Sequence, residues 1–196
     1  MATPHRKRLR RHHEPGDVHE LTFSCYRRLS ILTNDPWRTN LSRAIDEAGE
    51  KCHIDLVAFV YMPEHVHLLV LPLRCKEDID HYLAGLKRPV SVAAKADLIA
   101  HRSSLLERLT VQERPGKKVF RFWQEGAGYD RNMNTLPAIT SAIDYIHYNP
   151  VRRGLCSRID AWRWSSARYY LSDGKIVDDA LPRIQGLSAA YWQALG

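Results

Sequence analysis

The sequence predicts an α+β fold in which helices cover an antiparallel sheet. Segments of strand composition alternate with segments of helical spacing, and two of the strands follow each other so closely that they must form a hairpin. The resulting order, β-α-β-β-α-β, is typical of a ferredoxin-like sandwich with helices on one face of the sheet. The four predicted strands are Leu21–Tyr26, Ile54–Tyr61, His65–Leu71 and Val119–Trp123.

The first helix and the hairpin have clear local signals. Asn34 is a good N-cap, Pro36 suits a first helical turn, and apolar residues then recur at spacings of three and four to about Glu50. Met62-Pro63-Glu64 interrupts the two hairpin strands.

In the second half of the chain, the sequence predicts helices that are separated by polar segments. A helical pattern covers 76–100, and Pro89 should kink or split it. Residues 101–118 indicate a loop or mobile extension. Another helix covers 136–149 and should stop before Pro150. Short helical stretches are predicted within 151–172 and near 188–194.

Composition predicts one soluble domain with extensions. The 196 residues are 44% hydrophobic and 26% charged. No apolar run approaches the roughly 18 residues of a membrane span, and the basic N-terminus lacks a signal-peptide core. The four cysteines form no C-x-x-C pair, which excludes a zinc ribbon and favours reduced thiols in the cytoplasm: Cys25, Cys52, Cys75 and Cys156.

The positive charge is concentrated at the N-terminus. Of the net charge of +7, residues 1–13 carry +5, which leaves a nearly balanced domain behind a basic arm. Such an arm can follow a phosphate backbone, or it can be a solubilising tail. Its cationic residues are Arg6, Lys7, Arg8, Arg10 and Arg11.

Two histidines begin the second hairpin strand. Because strand side chains alternate between faces, His65 and His67 point the same way, while Val66, Leu68 and Val70 face the opposite side. Two neutral imidazoles side by side can bind a divalent cation. The pattern also fits two hydrogen-bonded surface histidines.

The helix at 136–149 carries a second candidate group. Tyr145 and Asn149 are four residues apart, so they lie on one flank of its apolar stripe, while His147 projects to the other flank. The two could share a site at the sheet edge, or be a tyrosine at the edge of the core and an asparagine at a helix end.

Basic and aromatic residues surround these motifs in the sequence. Arginines can bind phosphates and aromatic rings can stack on unpaired bases, although Trp162 and Trp164 could equally fill the core. The candidate DNA-binding residues outside the arm are Arg121, Trp123, Arg152 and Arg153.

Three segments in this order resemble the REP-associated tyrosine transposases, a single-tyrosine branch of the HUH nucleases. They are Tyr61-Met62-Pro63-Glu64-His65-Val66-His67-Leu68-Leu69-Val70, then Phe122-Trp123-Gln124-Glu125-Gly126, then Asp144-Tyr145-Ile146-His147-Tyr148-Asn149-Pro150-Val151. The resemblance spans roughly 17–172. It implies a transposase domain at 17–172. The chain departs from the shortest relatives in its basic arm at 1–16, an insertion around 101–118 and a C-terminal extension at 173–196.

The resemblance implies a function for each motif. His65 and His67 would bind Mg²⁺ or Mn²⁺, with Asn149 or else His147 as third ligand, and Tyr145 would be the nucleophile. The protein would cut and rejoin single-stranded, hairpin-flanked DNA through a 5′-phosphotyrosine, as a monomer or homodimer in the bacterial cytoplasm, at the nucleoid. The alternatives are a non-catalytic DNA-binding regulator and a metal-dependent hydrolase of another substrate.

Overall fold

The structure, a computed structural model, describes residues 16–74, 79–126 and 128–195. Its main sheet has four antiparallel strands: β1 (Val18–Ser24), β2 (Ile54–Tyr61), β3 (His65–Pro72) and β6 (Tyr129–Met133). Their order in the sheet is β2-β3-β1-β6. This order confirms the ferredoxin-like topology.

The helices that connect these strands follow the predicted signals. α1 (Asp35–Cys52) begins where the Asn34 side chain accepts a hydrogen bond from the Trp37 backbone N–H at 3.0 Å. α2 (Ile79–Ala100) contains Pro89 but is not split by it. Pro89 is on the exposed face, so the carbonyl that loses its helical partner can bind water instead.

The prediction of the fourth strand was wrong. The segment that includes Val119 belongs to a separate hairpin of β4 (Thr110–Arg114) and β5 (Lys117–Phe120), which follows the short helix α3 (Leu105–Leu109). The predicted loop at 101–118 is therefore largely structured. The true fourth strand, β6, is an edge strand rich in polar residues, so it lacks the apolar alternation that marks a strand in sequence.

The sheet has a hydrophobic core on each face. One core lies between the sheet and α1 and α2 and includes Leu21, Leu68 and Val70. The other lies under α4 (Leu136–Arg152), which continues through Pro150 rather than ending before it. Every residue of β3 is buried as a result.

The C-terminal region packs against the core below α4. It contains α5 (Ala167–Leu171) and α6 (Ala189–Leu195). Leu187, Tyr191 and Trp192 are partly buried against that core. Among the described residues, no helix has both the length and the apolar character that a membrane crossing requires.

Candidate metal and nucleophile site

The two histidines of β3 face each other across a very short distance. His65 Nε2 lies 3.0 Å from His67 Nε2, and both side chains are buried. The alternation of β3 puts both histidines on one face of the sheet, as predicted, and the structure shows that α4 covers this face. Two ring nitrogens therefore converge on one point beneath this helix.

A side-chain oxygen lies next to the Nδ1 atom of each imidazole and orients the ring. Glu64 Oε1 lies 3.1 Å from His65 Nδ1, and Thr22 Oγ1 lies 2.8 Å from His67 Nδ1. Thr22 can reach His67 because the two residues are register partners in β1 and β3. A proton on each Nδ1, donated to these oxygens, leaves both Nε2 lone pairs directed toward the same point.

The site favours neutral imidazoles. Burial lowers the pKa of His67 to about 3, with a further lowering from nearby His65. Burial also lowers the pKa of His65, although Glu64 opposes that shift. Both rings are therefore uncharged at neutral pH, which is the form that binds a metal.

The third candidate ligand comes from α4. Asn149 is buried, and its Nδ2 lies 3.1 Å from His67 Nε2. Rotation of the amide by half a turn would present Oδ1 to the same point, since the two amide orientations differ only in which atom is oxygen.

The donor set fits a divalent cation. Two imidazole nitrogens and an amide oxygen would hold it, and substrate oxygens could complete its coordination. The residues that the structure describes contain no group of three or more His, Cys, Asp or Glu side chains suited to a metal. Asn149 is therefore the residue that would raise the histidine pair to three protein ligands.

Tyr145 stands at the rim of this site and is accessible. Its side chain is 41% exposed. Its ring centroid lies 5.6 Å from that of His67 in an edge-on arrangement, and the Arg152 guanidinium carbon lies 5.2 Å from the same ring centroid. The guanidinium therefore makes a cation–π contact with the exposed tyrosine ring.

His147 lies on the other flank of α4, away from the histidine pair. Its Nε2 is 2.8 Å from Ser166 Oγ, and its ring packs 5.2 Å from Tyr170. Of the two residues predicted as alternative third ligands, the structure therefore places Asn149, and not His147, beside His67.

The buried His147 should make stability depend on pH. Burial lowers its pKa from 6.5 to about 4, with Asp144 opposing the shift, so the unfolded chain binds a proton at higher pH than the native protein does. Stability is then lost as pH falls from about 6.5 to about 4, by about 3 kcal/mol from this group. Urea unfolding of wild type and His147→Gln at pH 7 and pH 4.5 should show a smaller loss in the variant.

The matched control for this measurement is His101→Gln, since His101 is exposed. That variant should lose as much stability on acidification as the wild type does. An equal loss in His147→Gln would contradict the assignment of a buried, neutral His147.

A groove opens directly beside Tyr145. It encloses about 750 Å³ between the β1–β6 edge of the sheet and α4, and both His67 and Tyr145 line it. Glu20, Tyr129 and Arg131 line it as well. The groove therefore connects His67 and Tyr145 to a surface that carries the Tyr129 ring and the oppositely charged pair Glu20 and Arg131.

The structure places the predicted DNA-binding residues in different environments, and both Trp123 and Arg121 are engaged in contacts within the protein. Trp123 is buried, donates from Nε1 to the Lys87 carbonyl at 2.9 Å and packs edge-on against Phe23, so its ring belongs to the core and not to a surface that could stack on bases. Arg121 pairs with Glu113 and Glu125.

The other predicted DNA-binding residues are near the site or outside the described chain. Arg152 lies over Tyr145, and Arg153 pairs with Glu64 at 2.8 Å. The arm residues Arg6, Lys7, Arg8, Arg10 and Arg11 lie outside the described residues.

Sequence reasoning missed two residues that orient the histidines. Glu64 directly precedes His65, which was the available signal. Thr22 had no comparable signal, because its contact with His67 depends on the register between β1 and β3.

Comparison with known proteins identifies the family and supports the fold. The family model described as transposase IS200-like matches residues 17–126. A solved structure of a REP-associated tyrosine transposase bound to a REP hairpin is similar in fold, with a TM-score of 0.66 and 20% identity over 93% of this chain and 96% of that chain.

A second solved structure, a provisionally assigned transposase from Deinococcus radiodurans R1, has a TM-score of 0.43 and 15% identity over 73% of this chain and 96% of that one. The search of curated proteins gave no match.

Proposed function

The chain belongs to the family of IS200-like transposases, and from that premise we propose that it cleaves and rejoins single-stranded DNA through a phosphotyrosine at Tyr145. The observation that carries the proposal is the convergence of His65 Nε2 and His67 Nε2 beside the accessible ring of Tyr145.

In the proposed reaction the Tyr145 hydroxyl oxygen attacks the scissile phosphorus. The phenol proton passes to water and the bond from phosphorus to the 3′ oxygen breaks. That oxygen takes up a proton from water and leaves as a 3′ hydroxyl. The 5′ phosphate stays on Tyr145. A 3′ hydroxyl from another strand end can then attack the phosphotyrosine and release the tyrosine, so rejoining needs no nucleotide cofactor.

The other groups of the site have distinct proposed roles. His65, His67 and Asn149 would hold Mg²⁺ or Mn²⁺, which when bound would supply positive charge to a non-bridging phosphate oxygen. Arg152 would stabilise the developing phenolate and contact the same phosphate, because it already lies over the Tyr145 ring.

The groove beside Tyr145 suits an unpaired strand. Tyr129 is 53% exposed and offers a ring face for a base, while Arg131 offers a cation for a phosphate. The related structure holds a REP hairpin. We therefore propose hairpin-flanked single strands as the substrate, with the basic arm as an additional phosphate contact.

A labelled-strand experiment tests the proposed function. The purified full chain is incubated with Mn²⁺ and single-stranded oligonucleotides that tile the DNA on both sides of its gene. A 3′-labelled strand should enter a denaturation-resistant adduct, since the tyrosine keeps the downstream fragment. A 5′-labelled strand should instead yield a shorter free fragment. Mass spectrometry should place the adduct on the peptide containing Tyr145.

The two labels also distinguish the alternatives. Binding without cleavage would indicate the non-catalytic regulator. Cleavage that releases both fragments without any adduct would indicate hydrolysis, and it would contradict the phosphotyrosine.

A further inference from the structure

Glu64 lies between the two parts of the site, which are the histidine pair on β3 and the end of α4 that carries Tyr145 and Asn149. It lies in the turn between β2 and β3, is 7% exposed, and uses one oxygen for several contacts. Its Oε1 is 3.1 Å from His65 Nδ1 and accepts a hydrogen bond from Arg153 Nη1 at 2.8 Å. Arg28 Nη2 is 3.9 Å away.

The carboxylate also determines which nitrogen of His65 carries the proton. Oε1 already accepts the hydrogen bond from Arg153 Nη1, so it acts as an acceptor oxygen in this site. An acceptor oxygen needs a proton on the other side of its contact with His65. His65 must therefore donate from Nδ1, which leaves its Nε2 lone pair facing His67.

Arg153 extends this connection to the helix that carries the nucleophile. It is the C-cap of α4, and its backbone N–H bonds to the Asn149 carbonyl at 3.1 Å. Tyr145 and Asn149 occupy the last two turns before that cap. The ion pair thus joins the end of α4 to the residue that directly precedes the histidine strand.

We propose that Glu64 is a positioning residue that sets the tautomer of His65 and, through Arg153, holds the Tyr145 helix in register with the histidine pair. The inference rests on the proposed function, in which His65 binds a cation. The Arg153 side chain is 49% exposed, yet its partner is nearly buried, so the hydrogen bond is charge-assisted and largely shielded on one side.

The first test reads the tautomer without any metal. Nitrogen-15 NMR shifts of His65 should show a proton on Nδ1 in the wild-type protein. Glu64→Met, which keeps the size of the side chain but removes its acceptor oxygens, should move the population toward the Nε2–H form. Glu64→Gln retains an acceptor and should preserve most of the wild-type tautomer.

The second test measures Mn²⁺ binding by the electron paramagnetic resonance signal of the free ion. Glu64→Met should weaken binding about 10- to 100-fold, the usual effect of losing a group that orients a metal ligand. Arg153→Gln should weaken it in the same direction, and Arg153→Lys should restore most of the affinity. Arg158→Gln removes an exposed ion pair with Asp160 and should have no effect.

The outcomes separate this inference from the proposed function. Absence of Mn²⁺ binding by the wild-type protein would overturn the metal role of the site and the proposal together. Wild-type binding with unchanged affinity and tautomer in folded Glu64→Met would overturn the positioning role alone. A lower melting temperature without either change would mean that the ion pair only stabilises the fold.

Discussion

Tyr145→Phe should abolish strand cleavage and adduct formation while DNA binding remains. The substitution removes only the phenol oxygen that is proposed to attack the phosphorus, so cleavage should fall by roughly 10⁴- to 10⁶-fold, the scale seen when an enzyme loses its nucleophile. The ring would keep its edge-on contact with His67 and its place beside Arg152. Because the side chain is partly exposed, stability should change by less than about 0.5 kcal/mol.

Tyr148→Phe is the matched control for this experiment. Tyr148 is on the same helix and is 47% exposed, so it offers a comparable tyrosine outside the proposed site. Cleavage by that variant should equal that of the wild-type protein. If Tyr145→Phe still cut single-stranded DNA in the presence of a metal, another residue would have to be the nucleophile.

His67→Ala should produce the second largest loss. His67 lies at the centre of the site, with Nε2 facing both His65 and Asn149 and Nδ1 next to Thr22. Its removal takes away one proposed ligand and the group that brings the other two together. Cleavage should fall by about 10²- to 10³-fold or more, on the scale of losing one group that stabilises charge in the transition state, and Mn²⁺ binding should weaken with it.

The control is another buried histidine. His147→Gln alters the opposite flank of α4 and should retain both cleavage and Mn²⁺ binding. His67→Gln provides a second variant if the alanine protein folds poorly, since it fills more of the space. Wild-type cleavage by His67→Ala, with an unchanged response to Mn²⁺, would contradict the proposal that His67 is a metal ligand.

The groups of the site were predictable where one element sets their geometry. The period of two in β3 put His65 and His67 on one face, and the helical spacing put Tyr145 and Asn149 on one flank with His147 on the other. The structure arranges all five residues in that way. Chemistry that depends on one strand or one helix can therefore be read from local periodicity.

Contacts between distant elements could not be predicted in the same way. The link from Glu64 to Arg153 joins residues 89 positions apart, and the partner of His67 depends on strand register. The burial of the Trp123 side chain could not be predicted either, because the sequence does not show which side of this segment packs against Phe23. The polar edge strand β6 was missed since half of the usual strand signal comes from apolar residues.

The position of β3 in the sheet makes the histidine pair more rigid than the Tyr145 side chain on α4. β3 is hydrogen-bonded on both sides and covered on both faces, so local opening there would require most of the molecule to unfold. Tyr145 is on the flank of α4 and is 41% exposed, whereas both imidazoles are buried. Fluctuations within the candidate site should therefore fall mainly on the tyrosine side chain, while the imidazoles stay preorganised.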